Sequence, residues 1–449
     1  MSGLSPDTED MNMTVTVIGA GLAGSEAAWQ LAQRGIDVTL CEMKPGKKTS
    51  AHVTNDFAEL CCSNSLRSDQ LENAVGLLKE ELRRLDSLIL ACADATRVEA
   101  GGALAVDRFG FARLVTEKLR AHPRITVREE EITRLPDEGE VVVASGPLTS
   151  EALAEALVQV LGEDTALHFY DAAAPLVSAD SVDMDRAWFG SRYDRGTADY
   201  VNCPMTEEEY DAFWKELTAA EEAPVHGFED SRVFEGCMPV EVMARRGHDT
   251  LCYGPLKPRG LKDPRTGREP YAVVQLRRDN ADGTVYNLVG FQTHLRFPEQ
   301  RRVFSLIPAL HRAEFLRYGV MHRNTFLNSP GLLNRYYQLK NQPRISFAGQ
   351  MTGVEGYVES AASGFLAGVE TARRLQGKPP VDFPQETAIG ALGLYVSNPS
   401  VTVFQPMNIN FGIMPPLDHR VKGKRNKNAE LSARSLKIIE QIKPEVCEE

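Results

Sequence analysis

The sequence predicts an α/β protein: a Rossmann-like, doubly wound dinucleotide-binding domain that carries an α/β insertion. Three observations lead there. An apolar run, Val15 to Ile18, runs into Gly19-Ala20-Gly21-Leu22-Ala23-Gly24 and then into a helix-like stretch from Ser25 to Arg34. A second strand-like run, Asp37 to Leu40, leads to Glu42, eighteen residues past Gly24. Two later apolar runs close in small-residue turns, Val141 to Gly146 and Ile345 to Gln350.

Each element has a physical reason. The glycines of the GxGxxG turn permit a tight bend and let the backbone approach a pyrophosphate, and the helix that follows offers unpaired N–H groups to it. An acid at Glu42 suits the hydroxyls of an adenosine ribose, which favours FAD or NAD over NADP. The late strand at Ile345 is followed by Gly349, Gln350, Gly353 and Gly356 and by a helix to about Leu375, whose Ala361, Gly364 and Gly368 share one side. A distant segment returning with a glycine and a helix start is what FAD requires where the ribityl chain meets the protein, and NAD does not. FAD is therefore the expected cofactor, contacted by Gly19 to Gly24, Glu42, Gly146, Gly349, Gln350, Gly353 and Gly356. No second GxGxxG occurs, so NADH or NADPH would visit the flavin transiently as reductant.

The FAD domain is thus expected in two parts, 13–164 and 331–449, after a frayed polar tail at 1–12. The stretch 165–330 is the insertion on the substrate side. Within it, Thr206-Glu-Glu-Glu209 forms a capping box opening a helix through Trp214. Tyr271 to Leu276 and Val285 to Phe291, joined by Asp282-Gly283, form a hairpin.

At 449 residues with 43% hydrophobic and 25% charged residues, the chain can bury a large core. It shows no apolar stretch of membrane-spanning length and no leader-like N-terminus, so a cytoplasmic protein is expected. Cys41, Cys61, Cys62, Cys92, Cys203, Cys237, Cys252 and Cys447 contain no CxxC, zinc spacings are absent, and no metal is expected. A net charge of −12 argues against promiscuous adhesion to nucleic acid. Cations nevertheless cluster from Lys257 to Arg278, from Arg296 to Arg323, and at Arg420-Val-Lys422-Gly-Lys424-Arg425-Asn-Lys427. Lys422, Lys424 and Arg425 are the candidates there for contacting RNA phosphates.

Cys62 lies in the polar segment Glu59 to Arg67, and Cys237 in Phe234-Glu-Gly-Cys-Met-Pro239. Either thiol becomes a nucleophile when cations or a helix end lower its pKa. Burial as a small hydrophobe accounts better for Cys41, Cys92 and Cys252.

Several of these stretches together resemble the FAD/folate-dependent tRNA (uracil-5-)-methyltransferases. The likeness is carried by Val17 to Ala28, Cys62 to Ser68, Phe234 to Pro239, Gly319 to Phe326, Gly349 to Tyr357 and Gln405 to Gly412. The resemblance implies methylation of uridine 54 in the tRNA T-loop, with carbon from 5,10-methylenetetrahydrofolate, tetrahydrofolate released, and hydride from reduced FAD. It makes Cys237 the thiol that attacks the base and Cys62 the general base or folate-side thiol. Cys61, beside Cys62, could substitute for it or pair with it on oxidation. The other readings of the motifs are a flavin oxidoreductase of a small molecule and a non-catalytic flavin- and RNA-binding protein.

Overall fold

The structure, a computed structural model, describes residues 14–49, 51–162, 166–172, 174–194, 197–223, 238–319, 321–401 and 404–447. The tail 1–12 and Cys237 lie outside the described residues.

In chain order the first part runs β1 (Thr14–Ile18), α1 (Leu22–Gln33), β2 (Asp37–Cys41), α2 (Ala74–Arg84), β3 (Ile125–Arg128) and β4 (Glu140–Val143). The middle part supplies β5 (Leu176–Ser178), β6 (Trp188–Gly190), β7 (Tyr200–Met205), β8 (Ala272–Arg278), β9 (Val285–Leu288), α3 (Phe297–Phe304) and β10 (Phe315–Arg317). The last part gives β11 (Ile345–Phe347), α4 (Tyr357–Leu375), α5 (Ala388–Ser397) and α6 (Lys424–Val446).

Among the described residues one sheet has the order β11-β4-β1-β2-β3, every pairing in it parallel. Its strands are apolar because helices cover both faces: Val15, Val17, Val142 and Val143 are each 0% exposed. Chain order reverses beside β1, with β2 on one side and the later β4 on the other. Ligands of open α/β sheets bind at such a switch point, off the carboxyl ends of the strands. The Gly19 turn lies there. Gly19 sits at φ +96°, and a Cβ on it would come within 2.6 Å of the Ala144 carbonyl oxygen, so no other residue fits.

α1 and α4 pack closely over this sheet. A Cβ on Gly364 would stand 2.1 Å from the Ala23 carbonyl oxygen, and one on Gly368 2.7 Å from that of Ala27. The small-residue side of α4 is the contact itself.

The second sheet is antiparallel, in the order β6-β7-β8-β9-β5-β10. The β8–β9 hairpin pairs Leu276 with Leu288 and Arg278 with Tyr286. Its core gathers Val177, Val201, Val274, Leu276, Phe291 and Phe304. The capping box is present, Thr206 accepting from the Glu209 N–H, and the helix runs past Trp214 to Ala219.

A third, small sheet (Ser65–Ser68, Arg97–Val98, Ala103–Val106) begins in the polar segment after Cys62. Lys79 of α2, 0% exposed, anchors it by donating to the Leu66 carbonyl at 2.8 Å and the Ser68 carbonyl at 2.6 Å. Burial brings the Lys79 ammonium down to about 7. No helix among the described residues is long and apolar enough to cross a membrane.

Candidate active site

A cleft of about 1180 Å³, counting the open solvent at its mouth, lies at the switch point. Its wall contains Gly19, Gly21, Leu22, Ala23, Glu42, Gly146, Gly349 and Gln350, together with Cys61, Cys62 and Tyr357. The topology brings these together. The α1 turn, the end of β2, the end of β4 and the end of β11 all reach the same edge of the sheet.

The local geometry suits a dinucleotide. Gly21 begins α1 with no side-chain cap and no acid in the first turn, and a Cβ there would meet nothing within 4 Å. Uncapped N–H groups therefore face open space, as an anion requires. Glu42, 6% exposed, accepts from the Ala20 N–H at 2.9 Å and the Lys44 N–H at 3.1 Å. A carboxylate has about four acceptor positions, so capacity remains for ribose hydroxyls. Gly349, at φ +85°, donates its N–H to Ser363 Oγ at 2.7 Å, seating the β11 turn on α4.

Not every predicted contact residue reaches the cleft wall. Ala20 is buried beneath it, and Gly24 packs on its own turn, where a Cβ would lie 1.8 Å from the Gly19 carbonyl. Gly353 lies under Phe404, whose ring would be 2.2 Å from a Cβ, and Gly356 begins α4 beside Glu359 and Arg67. These four shape the turns behind the wall.

Cys61 and Cys62 enter on a loop gripped from several sides. The Tyr357 hydroxyl oxygen accepts the Cys62 N–H at 2.8 Å and the Ser63 N–H at 3.3 Å. Arg108 donates to the Leu60 carbonyl at 2.6 Å, and Arg317 to the Cys61 carbonyl at 2.8 Å. Arg277 reaches Ser63 Oγ at 2.7 Å and Asn64 Oδ1 at 3.1 Å. Burial, with Glu59 beside it, pushes the Cys61 thiol up to about 11, against the pull of Arg108 and Arg317. Burial likewise holds Tyr357 well above its ordinary value, as a neutral phenol. His52, also on the cleft wall, is lowered by burial and by Lys44.

Tyr357 and Arg108 carried no role in the sequence, and Arg317 stood only within the basic stretch from Arg296 to Arg323. Tyr357 stood inside a quoted motif, but its partners lie 295 and 294 residues away. Arg277 belonged to a stretch read as basic surface; it is in fact 6% exposed and turned toward the cysteine loop.

Lys422, Lys424 and Arg425 are not on the cleft wall. Lys422 lies just before α6 and Lys424 and Arg425 open it, all three exposed, and Arg425 pairs with Glu72 at 2.8 Å. α6 is held to the rest by Ser432, which donates to the Leu71 carbonyl at 2.6 Å, and by Ser435, which donates to Glu81 at 2.5 Å.

Fold and cleft together define a dinucleotide-cradling α/β protein with a thiol-bearing loop at the cradle. The family model described as glucose inhibited division protein A matches residues 14–379. The TrmFO methylenetetrahydrofolate--tRNA-(uracil-5-)-methyltransferase of Heliobacterium modesticaldum is 60% identical over 433 residues, covering 96% of this chain and 98% of that protein. The protein of that name from Bacillus licheniformis is 59% identical over 432 residues, covering 96% and 99%. Among solved structures, Aquifex aeolicus GidA superposes with a TM-score of 0.70 at 15% identity, over 96% of this chain and 76% of that one. The chain belongs to the methylenetetrahydrofolate--tRNA-(uracil-5-)-methyltransferase family.

Proposed function

We propose that the protein methylates carbon 5 of uridine 54 in the tRNA T-loop, in the cytoplasm. The carbon comes from 5,10-methylenetetrahydrofolate, FAD occupies the cleft, and NADH or NADPH supplies the electrons. The observation that carries this reading is the meeting of Gly21, Glu42, Gly146, Gly349 and Gln350 with Cys61 and Cys62 in one cleft. Kinship with proteins named as tRNA (uracil-5-)-methyltransferases supports the tRNA and the folate.

Gly21 and the first turn of α1 would hold the pyrophosphate and Glu42 the adenosine ribose. Gly146, Gly349 and Gln350 would line the path toward the ring. When bound and reduced, FAD supplies the hydride that turns an exocyclic methylene into a methyl group. The chain's own work is to make carbon 5 of uracil nucleophilic. A thiolate adds its electron pair to carbon 6, which moves density onto carbon 5. We assign that addition to Cys237. After carbon 5 has bonded the methylene carbon, its proton leaves to a base and the bond from that carbon to the folate nitrogen breaks, freeing tetrahydrofolate. Once the resulting methylene has taken up a hydride, the sulfur–carbon bond breaks and the double bond between carbons 5 and 6 returns. Cys62 is assigned to that proton or to the folate side. Tyr357, by accepting the Cys62 and Ser63 N–H groups, fixes the direction from which the Cys62 side chain enters. The T-loop base must leave its stack to arrive.

The test is nucleoside mass spectrometry of an unmodified tRNA transcript incubated with protein, FAD, NADH and isotopically labelled methylenetetrahydrofolate. Labelled 5-methyluridine in the T-loop is the expected product. Yellow, folded protein that forms none, beside an active control enzyme, would turn the reading toward a small-molecule flavin oxidoreductase.

A further inference from the structure

Beside the second sheet stands a column of aromatic rings that the chemistry above does not use. It begins in the core at Phe304, 0% exposed, with Phe315 at 6.4 Å from it. Tyr318 stacks on Phe315 at 5.5 Å with planes 12° apart, and Phe297 stacks on Tyr318 at 5.0 Å and 16°. The column ends in water, since Phe297 is 50% exposed. Rings inside this core meet otherwise: Phe291 and Phe304 cross edge-to-face at 79°.

The column is held rigidly. Gln300 of α3, 0% exposed, donates to the Gly319 carbonyl at 2.8 Å and accepts the Gly319 N–H at 2.7 Å. The residue after Tyr318 is thereby locked to the helix that begins at Phe297. A groove beside the outer rings is lined by Phe297, Pro298, Arg301, Arg302, Ser305 and Tyr318. Arg302 is spent on Glu216 and Glu299. Arg301 is exposed and, among the described residues, in no ion pair. One residue before Tyr318, Arg317 donates to the Cys61 carbonyl at 2.8 Å. The exposed rings are thus joined, through one side chain, to the loop that carries Cys62.

We propose that Phe297 and Tyr318 form a stacking platform for an unpaired nucleobase of the tRNA substrate, with Arg301 taking an adjacent phosphate. The proposal rests on the tRNA methyltransferase reading. Parallel, solvent-ending rings with an exposed guanidinium beside them match single-stranded RNA, whose bases stack on aromatic faces and whose backbone supplies the anion. Nearness to the cysteine loop places the platform within a few nucleotides of the modified base.

The test compares Phe297→Ala, Phe297→Leu, Phe297→Trp and Arg301→Ala with the parent protein. Affinity for an unmodified tRNA transcript is measured by filter binding, beside methylation kinetics and bound FAD. Phe297→Ala is expected to weaken tRNA binding and raise KM for tRNA about tenfold, with FAD content and kcat at saturating tRNA unchanged. Phe297→Trp restores binding and Phe297→Leu does not, because the leucine keeps apolar area and loses the π-face. Arg301→Ala flattens the dependence of binding on salt by about one phosphate contact. Parental tRNA affinity in Phe297→Ala, or full rescue by Phe297→Leu, overturns the platform. So does a change confined to self-association by Phe297→Ala, which would make the face a protein interface. A parent protein that binds tRNA without methylating it would sink the transferase reading instead, and the affinity comparison would still decide the platform.

Discussion

Cys61 and Cys62 are neighbours in the chain and are held differently, Cys61 by its carbonyl on Arg317 and Cys62 by its peptide N–H on Tyr357. Burial and Glu59 keep the Cys61 sulfur as a thiol, at about 11, so at neutral pH it neither attacks nor takes up a proton. Its neighbour sits with its peptide N–H on the Tyr357 hydroxyl. Cys61→Ala is therefore expected to keep most of the methylation rate. Cys62→Ala and Cys237→Ala are each expected to lose about a hundredfold or more while retaining FAD. Nucleoside mass spectrometry beside the flavin absorbance checks all three, and an inactive Cys61→Ala protein with full flavin would reverse the assignment.

Two packing points depend on single residues. α1 crosses α4 over Gly364, where a side chain would enter the Ala23 carbonyl. Gly364→Val should therefore cost about 1–3 kcal/mol and push α1, with the cradle it begins, off the cleft. Urea unfolding and flavin retention after gel filtration report the two effects, and unchanged flavin content would show that the crossing does not set the cradle. Beside the second sheet, the segment Gln292 to His294 ties down two chain segments. The Ala223 N–H donates to the His294 carbonyl at 2.8 Å, and the Val240 N–H to the Gln292 carbonyl at 2.7 Å. The His294 side chain, 6% exposed, lies between Glu241 and Glu222. Its Nδ1 is 2.8 Å from Glu241 Oε1 but off line for a hydrogen bond, while Nε2 meets Glu222 directly.

Burial works against charge on His294, but Glu241 and Glu222 outweigh it and raise the imidazole above 6.5. Arg245, paired with Glu222, weakens that pull without cancelling it. Because the folded value is the higher one, the stabilisation is complete below about pH 6.5 and is lost as pH climbs through the raised value. Melting temperature should therefore fall as pH rises above about 6.5 in the parent protein. His294→Gln should show a shallower fall over the same window. Equal slopes in differential scanning calorimetry would mean that His294 carries no linked proton.

At the scale of the whole molecule, one buried ion pair joins the cofactor half to the second sheet. Arg108 donates to both oxygens of Asp279, at 2.9 and 2.6 Å, with the two side chains 3% and 2% exposed. The same guanidinium holds the Leu60 carbonyl just before the cysteines. Asp279→Asn leaves a buried cation short of its partner and should cost about 3–5 kcal/mol in denaturant unfolding, whereas Arg108→Met with Asp279→Leu should recover much of it. A loss below 1 kcal/mol for the single change would remove the pair from any role in joining the halves. Lys422 and Lys424 belong to this scale too. As exposed cations at and just before the start of α6 they are proposed to meet tRNA, and Lys422→Ala with Lys424→Ala should reduce the salt slope of tRNA binding. Arg425, already paired with Glu72, should add little.

Much of this architecture was legible in the chain, for a local reason. The glycine turn, the alternation of short apolar runs with helices, the capping box and the Asp282-Gly283 hairpin are encoded within a few residues of where they act. Backbone sterics and apolar periodicity read the same way in sequence and in space. The small sheet after Cys62 was not legible, because its support is a lysine amine buried against carbonyl groups rather than an apolar pattern. The same holds for the cysteine loop. A basic residue reads as surface until a long-range partner makes its burial affordable, as Asn64 and Ser63 do for Arg277. The sequence by itself therefore determined the class of fold and the family, and Gly21, Glu42, Gly146, Gly349 and Gln350 among its expected cofactor contacts do line the cleft. Only the tertiary structure decided that Tyr357, Arg108 and Arg317 grip the thiol loop, since those contacts arise from side chains brought together after the chain has crossed the sheet.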